Sequence, residues 1–146
     1  MRKIYLTLMI TIVAISLIGC AKDTSKRDLR GDIQQVVKDV YAPKSMEQFR
    51  ESYNNAVNSG LMTKEAADSF YIRHGEDLTS DDLKRSCYVD VMYSESDSNS
   101  EGKEHYLAKL QLHGAYGEKV NADIFFYVTE ENIINKILVA NIDAGE

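Results

Sequence analysis

The sequence predicts an α+β domain in which N-terminal helices pack on a four-stranded antiparallel sheet. Apolar residues recur at helical spacing from Ile33 to Tyr71, and the period falls to two after Lys84. The runs that follow are joined by connections too short for a parallel crossover, which takes a dozen or more residues. With 44% hydrophobic residues and a single Pro in 146, the composition fits one globular domain and excludes a polytopic membrane protein. A net charge of -6 is the wrong sign for a surface held by phosphates, so nucleic acid is not an expected partner. Two Cys and three His are too few for a disulfide framework or a structural zinc site, and no cofactor is expected.

Residues 1–20 read MRKIYLTLMITIVAISLIGC. Arg2 and Lys3 precede an uncharged run from Ile4 to Ile18, the pattern of a secretory signal peptide. At 15 residues the run is shorter than the roughly 20 a spanning helix needs. Leu17-Ile18-Gly19-Cys20 resembles the lipobox of bacterial lipoproteins. That resemblance implies cleavage of residues 1–19 and acylation of Cys20 by chains such as palmitate, and hence a membrane-anchored domain on the extracytoplasmic side. Cleavage removes Arg2 and Lys3 but no acid, leaving 15 basic against 23 acidic residues and a formal charge of -8. An anionic lipid surface repels such a chain, so attachment falls to the lipid. Cys87 is then the one remaining thiol and no internal disulfide can form.

Residues 20–31 form the acylated Cys and a polar tether, and the domain spans 32–143 in this reading. Arg30-Gly31-Asp32 matches a three-residue integrin motif, but Asp32 with Gln35 has the spacing of a capping box opening a helix. Ile33, Val36, Val37, Val40 and Tyr41 then share one face until Pro43 stops it. Ser45 with Gln48 opens a second helix, whose Met46, Phe49, Tyr53, Ala56 and Val57 share a face up to Gly60. Thr63 caps a third, carrying Ala66, Ala67, Phe70 and Tyr71 and ending at Arg73-His74-Gly75. One further helical turn fits between Glu76 and Lys84.

Four strands follow. Cys87, Val89, Val91 and Tyr93 alternate with Tyr88, Asp90 and Met92, and Tyr106, Ala108, Leu110 and Leu112 alternate with His105, Lys109 and Gln111. Val120, Ala122, Ile124, Phe126 and Val128 make the third run and Ile133 to Ile142 the fourth, with turns at 94–103, 114–117 and 130–132. The predicted core holds Val36, Val40, Phe49, Tyr53, Phe70, Val89, Val91, Leu110, Leu112, Ile124, Phe126 and Ile137. Strand four is apolar on both faces, and Phe125 and Tyr127 fall on the outer side of strand three. That requires either cover on both faces or a sheet strongly curved around a pocket.

Helices followed by such a sheet resemble the nuclear transport factor two-like superfamily in element order. The resemblance implies a bent sheet. Among its members, the assembly factors of conjugation and type IV secretion machines are also membrane-tethered outside the cytoplasm.

Candidate chemistry is sparse. His105 and His113 lie eight strand residues apart, about 26 Å, and cannot share a metal. His74 beside Arg73 suits a helix C-terminus, and His105 is expected on an exposed strand face. Asp97-Ser98-Asn99-Ser100-Glu101-Gly102 opens like a calcium loop, but position twelve is Ala108 where a bidentate Glu is required. Asp90 or Asp123 becomes a candidate general base with a raised pKa if the sheet curls around a pocket. Cys87 reads as a small core residue.

Tyr88, Tyr116, Phe125 and Tyr127 are the candidate partner-binding residues, because an aromatic body with a polar tip suits contact surfaces. The expectation is a non-enzymatic, lipid-anchored module of the bacterial envelope that binds a protein partner, in a conjugation or secretion system by the superfamily analogy. The alternative is a small-ligand carrier or small enzyme with its pocket inside the curved sheet.

Overall fold

Helix α1 (Arg30–Tyr41) begins earlier than its sequence signals suggest. In the computed structural model, which describes residues 27–72, 75, 78–94 and 104–145, the Asp32–Gln35 capping box does not form. The N-cap is Leu29, without a side-chain cap, and Asp32 lies in the first turn 2.6 Å from the Arg27 guanidinium. A carboxylate there still favours the positive end of the helix dipole. Leu29 is 1% exposed and joins the core, so residues 29–31 belong to the packed domain and not to the tether. The integrin-like tripeptide is wound into this helix start.

Helix α2 (Met46–Asn58) is capped as expected, Ser45 Oγ accepting from the Gln48 N–H at 3.0 Å. The Gln48 carbonyl oxygen reaches back one residue further than in a capping box and accepts from the Lys44 N–H. Gly60 closes the helix at φ +73°, its N–H bonded to the Val57 carbonyl while the Met62 N–H reaches that of Ala56. Thr63 caps the four-residue helix α3 (Lys64–Ala67). The single helix expected to continue to Gly75 instead widens into a π-turn over Asp68–Ile72. The wider turn lets two adjacent rings face inward: Phe70 meets Tyr41 and Phe126, while Tyr71 meets Phe49 and Tyr53. A 3₁₀ turn at Asp82–Lys84 precedes the sheet.

Strands β1 (Ser86–Ser94), β2 (His105–His113), β3 (Lys119–Val128) and β4 (Ile134–Gly145) form an open antiparallel sheet in the order β1-β2-β3-β4. Fold class and strand order therefore agree with the sequence reading, with β4 running past the expected Ile142. One face, lined by Val89, Tyr106, Ala108, Leu110, Ile124, Phe126 and Val128, meets the helices in a single core. Tyr53, Val91, Leu112 and Ile137 pack at the margin of that core, partly exposed. Cys87 is also marginal, and burial pushes its thiol pKa up.

Each edge strand is met at one point by another element. Gln34 Nε2 donates to the Val89 carbonyl at 2.8 Å on the free side of β1. On the free side of β4, the Thr63 N–H donates to the Ile134 carbonyl and the Ile134 N–H to that of Leu61, both at 2.9 Å. Beyond this bridge β4 is broken by a register shift opposite Asn121 and Asp123, with Asn141 at φ +49°. Bulges and side-chain covers of this kind keep a sheet edge from pairing with another chain.

Candidate docking face

Strand pairing sorts the face turned away from the helices into rows. Met92 pairs with Leu107, Leu107 with Phe125 and Phe125 with Leu138, so one apolar row crosses all four strands. Its ends are the most open, Met92 at 42% and Leu138 at 46% exposed, while Leu107 and Phe125 are half-buried. On one side lies the row Asp90, Lys109 and Asp123, with alternating charge. On the other, Ser94, His105, Tyr127 and Lys136 are cross-strand partners. An apolar band bordered by polar rows is how an interface patch is built. The described core cluster draws nothing from it.

Two expectations on this face need correction. Tyr127 lies on the outer face but is only 8% exposed: its ring sits 5.7 Å from that of His105, and Lys136 Nζ stands 5.4 Å from its centroid. His105, expected exposed, is 5% exposed for the same reason, with the Phe125 ring 5.8 Å away on the same neighbouring strand. Alternation assigns a face but is blind to rings that cover one another across strands. Tyr127 thus supports the row without being an open contact residue.

Tyr88 and Tyr116 are far more exposed but do not join the apolar row. Tyr88 pairs with Gln111, beyond the charged row, and Tyr116 sits in the β2–β3 turn with its hydroxyl donating to Asp81 Oδ2 at 3.0 Å. Met92, Leu107 and Leu138 went unnamed as site residues. Their signal was the parity of three strands, which becomes a row only when the register is known. Cys20, His74 and the calcium-like segment Asp97–Gly102 lie outside the described residues.

The pocket reading fares differently. A groove of about 350 Å³ opens on the helix side of the sheet, among Tyr41, Ser69, Phe70, Leu110, Val139 and Ile142. Burial pushes the Tyr41 phenol up to about 12. No carboxylate lines this groove, because Asp90 and Asp123 point to the opposite face. Asp90 faces Lys109 across the strands, and Asp123 Oδ2 accepts from Asn141 Nδ2 at 2.8 Å. Among the described residues there is no group of three or more potential metal ligands, and no helix long and apolar enough to cross a membrane.

Comparison with protein-family models, with curated proteins and with solved structures finds no match. The likeness to the nuclear transport factor two-like superfamily therefore rests on element order.

Proposed function

We propose that this chain is a lipid-anchored, extracytoplasmic module of the bacterial envelope that binds a protein partner through the outer face of its sheet. The observation that carries the docking role is the row Met92, Leu107, Phe125 and Leu138, apolar from edge to edge and open at both ends. The anchoring role is supported by the lipobox-like Leu17-Ile18-Gly19-Cys20 and the basic start that precedes it. The contacts at Val89 and Ile134 and the irregular register of β4 favour docking on the face over strand addition. Membership of a conjugation or secretion assembly is the most specific form of this reading and stands on superfamily analogy.

The experiment places a photo-crosslinking amino acid at Leu138 in the full chain and irradiates intact cells. A discrete crosslinked protein that disappears when Met92→Asp is added supports the proposal. Crosslinks that are absent, or unaffected by Met92→Asp, sink it. Cys20→Ser should release the protein from the membrane fraction, and unchanged retention would remove the lipid anchor from the proposal.

The groove on the helix side favours a second reading, a carrier of a small apolar ligand. Asp90 and Asp123 have no part in it. Filling the groove mouth with Ile142→Trp would abolish such binding and leave intact a crosslink from Met92, at the end of the row away from the groove.

A further inference from the structure

The charged and apolar rows of the outer sheet face are complementary to themselves. Asp90, Lys109 and Asp123 are cross-strand partners in one row, and Met92, Leu107, Phe125 and Leu138 in the next. Rotating a second copy by 180° about an axis parallel to the strands, between β2 and β3, lays face on face with the strand order reversed. Then β1 lies over β4, β2 lies over β3, and each row lies over its own counterpart. Lys109 of each copy meets Asp123 of the other, and Leu107 meets Phe125. Met92, at one open end of the apolar row, meets Leu138 at the other. Aligned sheets pack face to face in this way about 10 Å apart, with strands offset by about 30°. An axis across the strands is worse, because it sets Lys109 over His105, in a row that holds no carboxylate.

The course of the N-terminal chain favours the same axis. Leu29 donates to the Tyr106 hydroxyl near the start of β2, and the Arg27 carbonyl accepts from Asn132 in the β3–β4 turn, so the tether joins the domain at that end of the strands. Rotation about an axis parallel to the strands leaves both tethers at one end, as anchoring in one membrane requires. An axis across them would send the tethers apart. A nine-residue strand is about 30 Å long, and the chain from Cys20 to Arg27 reaches at most about 25 Å, too short to return past the sheet.

We propose that the occupant of the docking face is a second copy of this chain, in a two-fold dimer whose axis runs parallel to the strands. The proposal rests on the docking role given to that face and names its partner. The net negative charge of the chain opposes association of copies in general, whereas the two Lys109–Asp123 contacts attract where the copies meet. Four strands of about nine residues present a face of about 19 by 30 Å, so the pair buries on the order of 1,100 Å², the low end for a specific interface. Such a dimer is weak in free solution and gains from the high effective concentration of two copies anchored side by side.

The first test is made on the full chain in intact cells. A photo-crosslinking residue at Leu138 should give a band at twice the mass of the chain, with the joint mapping to β1 of the second copy, near Met92. A joint on β4 of the second copy overturns this axis. A band of another mass that is lost with Met92→Asp overturns the dimer and leaves the docking role standing, whereas no band, or one indifferent to Met92→Asp, overturns both. The second test uses two differently tagged full chains in detergent. Lys109→Glu should weaken self-association by roughly tenfold or more, and so should Asp123→Lys, since each sets like charges together at both contacts. Mixing the two variants restores opposite charges at both contacts, and the mixed pair should co-purify as well as the unmodified chain does with itself. A fold weakened by either substitution would not recover on mixing. Failure of the mixed pair to recover, or self-association indifferent to both changes, overturns the proposal.

Discussion

Leu29 donates its backbone N–H to the phenolic oxygen of Tyr106, 77 residues further along the chain. Both residues are almost fully buried, so this one bond fastens the start of α1 to β2 where no side chain of α1 itself provides a cap. Tyr106→Phe keeps the ring and removes the acceptor. An orphaned buried N–H is expected to cost about 1–3 kcal/mol. Urea unfolding should show it as a lower midpoint at unchanged slope. An unmoved midpoint would mean that water replaces the phenol.

Phe126 is fully buried and meets Phe70 edge to face at 5.6 Å, where the sheet touches the π-turn. Phe126→Ala should lower stability by about 3–5 kcal/mol, the range for opening a cavity in a close-packed core. A thermal melt within a degree of the unmodified protein would show that the site collapses around the smaller residue.

Asp82 should make the domain sensitive to acid. Burial alone would raise its pKa, but bonds from the Thr79 N–H at 2.5 Å and hydroxyl at 2.9 Å, with Arg85 at 2.5 Å, outweigh that and hold it below the usual carboxylate range. A folded-state pKa below the unfolded one stabilises the protein above the unfolded value, about 3.9, and the gain disappears as pH falls through the folded value. Asp82→Asn should therefore be less stable than the unmodified chain at pH 7, with the two curves converging as the pH drops below 4. Parallel curves across that range would show that Asp82 matters only through its shape.

Cys87 should react slowly. Its thiol is half-buried at the core margin and burial raises its pKa, so little thiolate is present at neutral pH. Iodoacetamide labelling of native protein is expected to lag well behind labelling in denaturant. Equal rates would place the thiol in open solvent.

How much of this was legible in sequence depends on the physical range of each signal. Ile33, Val36, Val37 and Val40 announced α1 because a helix writes its buried face at fixed spacing. Its true start was hidden, since Leu29 is fixed by Tyr106 from a distant strand and the local bond from the Arg30 N–H to Asp28 is only a weak signal. Ser45 and Thr63 were readable as caps because a cap is a local bond. The turn at Asp68–Ile72 was not, because its extra residue is set by the rings that Phe70 and Tyr71 must meet elsewhere. On the outer face, alternation gave the side on which Phe125 and Tyr127 lie. It could not give the row through Met92, Leu107 and Leu138, which needs register, nor the mutual cover of His105 and Tyr127.

The Gln34 contact on β1 and the Leu61–Thr63 contact on β4 bear on how recognition could change over generations. Strand addition is read mostly by backbone, which every sequence supplies, so it tolerates substitution and invites the wrong company. A partner docking on the outer face instead meets side chains. Its selectivity is then written in the identities of Met92, Leu107, Phe125 and Leu138, residues that single nucleotide changes can alter without disturbing the core. Such a surface can drift to a new partner while the fold beneath it stays as it is.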